Sequence, residues 1–158
     1  MKNTKSIIIA STFLAFIGSL FLFSSKGHAL FGFGSWGKYQ TVQVENGLVQ
    51  IPVNEVNDGK AHYYTLEAQG KKINFFVLQS QDGVIRAAFD ACDVCFSEKK
   101  GYTQGGDFMI CNNCGQRFHS SKINVIQGGC NPAPLRRTNN GQQIVIAASD
   151  IFSGYYYF

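Results

Sequence analysis

Two cysteine pairs, Cys92-Asp-Val-Cys95 and Cys111-Asn-Asn-Cys114, carry the clearest chemistry in this 158-residue chain. Fifteen residues separate them, inside the C-x2-C-x15–20-C-x2-C spacing of a four-thiolate metal site. Two intervening residues let a tight turn aim both sulfurs at one ion, and the long spacer brings a second turn from the other side to complete a tetrahedron. Gly115, directly after Cys114, supplies a position where a positive φ turns backbone N–H groups toward the sulfurs, a role outside the ligand set itself. Phe96 follows the first pair instead, so that turn is expected to be less regular.

The competing chemistry is two disulfides, since cysteines of an exported protein can pair without any metal. An odd fifth cysteine argues against a pure disulfide framework. It is Cys130, in Gly128-Gly129-Cys130-Asn131-Pro132-Ala133-Pro134, where Gly128 and Gly129 let the backbone approach a neighbour closely and Pro132 stiffens the exit. Cys130 is therefore read as an additional sulfur ligand or a thiol beside the centre, against the plain alternative of a small buried residue in a tight turn. His62, in Ala-His-Tyr-Tyr, is the other candidate extra ligand. His119, five residues beyond Cys114, could replace a thiolate but is not favoured with four cysteines already available. No Ser-His-Asp order, Gly-rich phosphate loop or HExxH occurs, so hydrolase and nucleotide-binding readings have no support.

The elements that must position these thiols read as β-structure. Tyr39 to Glu45 alternates, Asn46-Gly47 is a two-residue turn, and Leu48 to Val53 runs back, which predicts a hairpin. Ala61 to Ala68 and Ile73 to Leu78 around Gln69-Gly70 predict a second, and Val84 to Phe89 a further strand. Breakers every ten residues or so, with no long helical period, predict a mainly β body, a small antiparallel barrel or sandwich. Residues 90–131 hold all five cysteines and little apolar periodicity, so they read as an inserted loop-rich metal-binding segment that burial alone cannot stabilise. Ile144 to Ala148 predicts a strand, and Tyr155 to Phe158 a closing one.

The N-terminus addresses the domain. Lys2 and Lys5 precede an uncharged apolar run over residues 6–23, and Gly27-His28-Ala29 offers small residues before a cut. Residues 1–29 are thus expected to be a signal peptide, or an N-terminal anchor if uncleaved, with the domain outside the cytoplasm in either case. Residues 30–38 (LFGFGSWGK) read as a Gly/aromatic tether, and residues 39–158 as the working domain. Removing residues 1–29 takes three lysines and lowers the formal charge from +4 to +1, with eleven Lys and Arg against ten Asp and Glu. That leaves no electrostatic footprint for a nucleic-acid partner.

Several blocks in order resemble the membrane iron-sulfur protein family of the FtrD type: Arg86-Ala-Ala-Phe-Asp-Ala-Cys-Asp-Val-Cys95, Gly101-Tyr-Thr-Gln104, Ile110-Cys-Asn-Asn-Cys-Gly115 and Gly128-Gly-Cys-Asn-Pro-Ala-Pro-Leu135. The similarity extends over about residues 42–158. It implies an electron carrier or metal-binding protein rather than an enzyme, outside the cytoplasmic membrane and beside a membrane-associated redox or iron-permease partner. The cofactor it implies is an iron-sulfur cluster or iron. Thiolates accept zinc and copper as well, so a zinc-stabilised interaction module and a copper or iron carrier stand as alternatives. The leader lacks a twin-arginine pair, which points to export of the unfolded chain and to metal acquired outside.

Overall fold

The computed structural model describes residues 37–158. The expected leader and all but the last two residues of the expected tether lie outside that range. In chain order the elements are β1 (Gln40–Thr41), β2 (Leu48–Pro52), the single-turn helix α1 (Val53–Val56), β3 (His62–Ala68), β4 (Lys71–Gln79), β5 (Ile85–Phe89), β6 (Tyr102–Gly105), β7 (Phe108–Cys111), β8 (Arg117–His119), β9 (Thr138–Asn139), β10 (Gln143–Ala147) and α2 (Ala148–Phe152). Short 3-10 turns cover Phe96–Glu98, Ser120–Lys122 and Tyr155–Tyr157.

Three small sheets result, ordered β1-β3-β4-β5, β2-β10-β9 and β6-β7-β8. The mainly β, sandwich-like expectation holds, and none of the sheets closes into a barrel. The four-stranded sheet is the middle layer because β4 is apolar on both faces. Ile73, Phe75 and Val77 point into one core with Val49, Ile51, Ile144, Ile146 and Ile151. Phe76 and Leu78, one residue out of phase, point into a second core with Tyr102, Met109, Cys111 and Ile123. Alternation at period two thus lets one strand bury against both outer sheets, each large side chain contributing about 1.5–3 kcal/mol. Two of the five cysteines, Cys92 and Cys111, are part of the second core.

The Gln69-Gly70 hairpin forms as read, with His62–Ala68 paired against Lys71–Val77, and Ile85 to Phe89 adds to its edge. The first hairpin does not extend. Asn46 and Gly47 have φ of 51° and 78°, the turn their sequence requires, and Glu45 bridges Leu48. Beyond that bridge the arms part: β1 runs parallel to β3, and β2 pairs with β10 over five residues. The register explains the choice, because Val49 and Ile51 face Ile146 and Ile144 across the ladder and all four are buried.

Two further expectations need correction. Residues 90–131 contain a real sheet, β6-β7-β8; strands of three or four residues around Gly105-Gly106 leave too short a period to read. The aromatic tail is a 3-10 turn and no strand. Tyr157 turns inward against Phe89 and Phe96, at 5.7 Å from each ring, and its hydroxyl donates to Asp93 at 2.6 Å. The tail therefore braces the loop between Cys92 and Cys95.

A buried arginine ties the cysteine segment to the middle sheet. Arg86 donates to both carboxylate oxygens of Asp82 at 2.9 and 2.8 Å, and from Nε to the Ile123 carbonyl at 3.0 Å. The Ser80 hydroxyl and then Arg86 hold the Asp82 carboxyl down to about 2. A carboxylate depressed on folding contributes stability that is present above about pH 4 and lost as pH falls through about 2. Asp82→Asn is therefore expected to flatten the acid side of the stability profile between those values; a profile that superimposes on wild type there would contradict the pairing.

Candidate metal centre

Each cysteine is delivered by a different local device. Cys92 ends the run Asp90-Ala91-Cys92 that continues β5, and is 1% exposed. The following turn folds back so that the Cys95 N–H donates to the Cys92 sulfur at 3.2 Å, and Cys95 caps the 3-10 turn Phe96–Glu98. Cys111 is the last residue of β7 and 2% exposed. Gly115 has φ of 74°, as read, and its N–H closes the turn on the Cys111 carbonyl at 2.9 Å. That reversal leaves the N–H of Gln116 for the Cys114 sulfur, holding its thiol below the ordinary value. Burial pushes the Cys111 thiol up to about 11, against backbone N–H groups of Cys114 and Asn113 that pull it down.

Cys130 arrives from far along the chain because the residues after it zip onto β5. Ala133 N–H donates to the Ala91 carbonyl at 2.9 Å, Phe89 N–H to the Ala133 carbonyl at 2.8 Å, and Leu135 N–H to the Ala87 carbonyl at 3.2 Å. Gly128 and Gly129, with φ of 84° and 61°, turn the chain into this lane. Cβ atoms there would meet nothing within 4 Å, so it is the backbone conformation and not crowding that calls for glycine. Burial, followed by the neighbouring Cys95 thiol, pushes the Cys130 thiol up to about 12.

The five sulfurs converge. Cys92, Cys95 and Cys111 lie within 4.8 Å of one another, and so do Cys95, Cys114 and Cys130. All are free thiols, and Cys95 and Cys130 stand 3.7 Å apart, well beyond the roughly 2.05 Å of a disulfide. Sulfurs sharing one tetrahedral ion at about 2.3 Å stand about 3.8 Å from each other. Donor type and spacing both fit a thiolate metal centre, the donor set that also holds iron-sulfur clusters.

His62 is placed elsewhere: its Nε2 lies 2.8 Å from Asp58, and it belongs to neither triplet. His119 is held by Ser121 and the Phe108 ring.

Sequence reasoning missed the residues that brace the centre. Asp90, fully shielded from solvent, accepts from Lys38 Nζ, the Tyr39 hydroxyl and the Tyr102 N–H, each at 2.6 Å. Lys38 also donates to the Tyr102 carbonyl at 2.8 Å, so both backbone polar groups of Tyr102 are fixed. The Tyr102 side chain, 1% exposed, donates to the Cys130 carbonyl at 2.6 Å. Burial, and then the neighbouring Cys92 thiol, push its own phenol far up, so it stays protonated and a donor. The sequence signal was the place of Asp90 and Tyr102 in blocks shared with the FtrD type, since no spacing rule marks either residue. Tyr102→Phe keeps the ring and deletes the donor, so it is expected to cost about 1 kcal/mol and to speed alkylation of Cys130 in the metal-free protein. Mass mapping that shows no change in Cys130 reactivity would count against this link.

A cleft of about 390 Å³ opens onto Cys92, Cys95 and Cys111, with Lys71, Lys72 and Lys99 on its walls. Among the described residues no helix is long and apolar enough to cross a membrane.

No curated protein matches the chain. Among solved structures it is similar to the quaternary ammonium Rieske monooxygenase CntA, at 14% identity and a TM-score of 0.43, covering 63% of this chain and 30% of that one. A likeness of that size carries no argument about activity. The model of the FtrD-like membrane iron-sulfur containing proteins matches residues 56–158, and that stretch includes all five cysteines, Asp90 and Tyr102. The chain belongs to the FtrD-like membrane iron-sulfur containing protein family.

Proposed function

We propose that this protein is an extracytoplasmic electron carrier, whose cysteines hold an iron-sulfur or iron centre and which serves a membrane-associated redox or iron-permease partner. The observation that carries the reading is the convergence of five free thiols, two of them in the core and one exposed. Such a centre, when bound, supplies one-electron transfer without bond rearrangement in the protein. The chain's own part is to hold and shield it. Cys92 and Cys111 anchor it in the core, the N–H groups of Cys95 and Gln116 donate toward sulfur, and the exposed Cys114 side brings it to the surface. Hydrogen bonds to sulfur and solvent exposure are the levers that set the potential of thiolate-held iron.

Electrons entering at the surface must come from a donor that is oxidised in the same step, and a partner reached through the membrane fits the apolar N-terminal run. The test is the colour and content of protein exported by its native host. Iron, acid-labile sulfide and absorption bands that bleach on dithionite are the expected result. A colourless protein with stoichiometric zinc would overturn it in favour of a non-redox interaction module, since zinc has no redox chemistry.

A further inference from the structure

The thiols meet within each CxxC motif, where the Cys111 and Cys114 thiols are themselves hydrogen-bonded, but the mutually close triplets cut across the motifs. Cys92, Cys95 and Cys111 make one set, Cys95, Cys114 and Cys130 the other, and Cys95 alone is common to both. We infer that the centre has two metal positions that share the Cys95 thiolate: an inner one on Cys92, Cys95 and Cys111, and an outer one on Cys95, Cys114 and Cys130. The inference deepens the metal-binding reading above and rests on it.

Three observations carry it. A single tetrahedral ion takes four thiolates, whereas this fold invests in bringing a fifth from a distant segment and fixes it there with the Ala133 and Leu135 ladder and the Tyr102 hydroxyl. The Cys95 to Cys130 separation of 3.7 Å matches the roughly 3.8 Å between sulfurs on one ion, so both thiols can reach one ion without moving apart. The sets also differ in burial: Cys92 and Cys111 lie in the core, while Cys114 is exposed and Cys130 half-buried. A thiolate sulfur has lone pairs enough to bridge two soft ions. Two divalent ions and five thiolates carry one excess negative charge, and Lys71, Lys72 and Lys99 line the cleft against the inner set. The ligand class is a soft, thiophilic metal ion, with the outer position the exchangeable one.

The test is an anaerobic Cd(II) titration of the reduced, metal-free full chain, followed by thiolate-to-cadmium absorbance and by equilibrium dialysis. Wild type is expected to saturate at two equivalents. Cys130→Ser and Cys114→Ser are each expected to saturate at one, with the inner ion held as tightly as before, and Cys95→Ser is expected to weaken both. Saturation of wild type at one equivalent would overturn the inference, as would two equivalents retained in Cys130→Ser. Circular dichroism of each metal-free variant separates ligand loss from unfolding, and Cys130→Ala provides a second substitution at the same position. A zinc-loaded, colourless native protein would sink the electron-transfer reading and leave the cadmium count standing; a single equivalent would do the reverse.

Discussion

Cys111→Ala is expected to abolish retention of the inner ion and to melt the second half of the domain. Cys111 is where three constraints meet: it ends β7, it packs in the second core against Phe76, Tyr102 and Met109, and its sulfur belongs to the inner triplet. Losing a small buried side chain alone costs only about 1 kcal/mol. Metal binding is the larger part, because a site absent from the unfolded chain converts its binding free energy into folding free energy, on the order of 10 kcal/mol for structural thiolate sites. Domains of this size have about 5–15 kcal/mol of stability in total, so removing the inner ion takes most of it. Elemental analysis and thermal melting with and without added metal check this. Unchanged metal content together with unchanged melting would show that Cys111 is no ligand. Cys114→Ala is the internal comparison, since its exposed side chain contributes to the outer triplet and not to the core.

Asp90→Ala is expected to cost about 3 kcal/mol, through lost hydrogen bonds rather than lost packing. Its carboxylate is shielded from solvent and serves three donors; removing one partner of a buried pair typically costs about 3–5 kcal/mol. The lower end applies because Lys38 is a third exposed and keeps the Tyr102 carbonyl. Gly101 packs directly on this carboxylate, since a Cβ there, at φ of 63°, would come within 2.5 Å of it. Chemical denaturation measures the loss, and a cost below about 1 kcal/mol would mean the pair behaves as a surface salt bridge. Because Asp90 lies two residues before Cys92 and fixes Tyr102, the same variant is expected to loosen the metal.

The chemistry of the site was legible in one dimension because a tight turn is a local object. Cys92 with Cys95, and Cys111 with Cys114, are each brought together within four residues, so spacing alone announces the two thiol pairs. Gly115 likewise reads locally, since a positive φ after the turn is a demand on one residue. The β character and the Gln69-Gly70 hairpin were legible for the same reason: alternation and turn chemistry act between neighbours.

What tertiary structure decided is everything that depends on which segment finds which partner. Asn46-Gly47 makes its turn, yet the hairpin stops there, and Val49 and Ile51 are instead buried facing Ile146 and Ile144 of β10. Fifteen residues lie between Cys114 and Cys130, and nothing in that interval says that Ala133 will pair along β5 and carry Cys130 to within 3.7 Å of Cys95. His62 offers the right ligand type and is spent on Asp58 instead. Composition and spacing determined that a cluster of thiols suited to a metal would sit on a β scaffold. Long-range strand pairing, whose partners are set by burial across the whole core, decided how the five sulfurs divide between them.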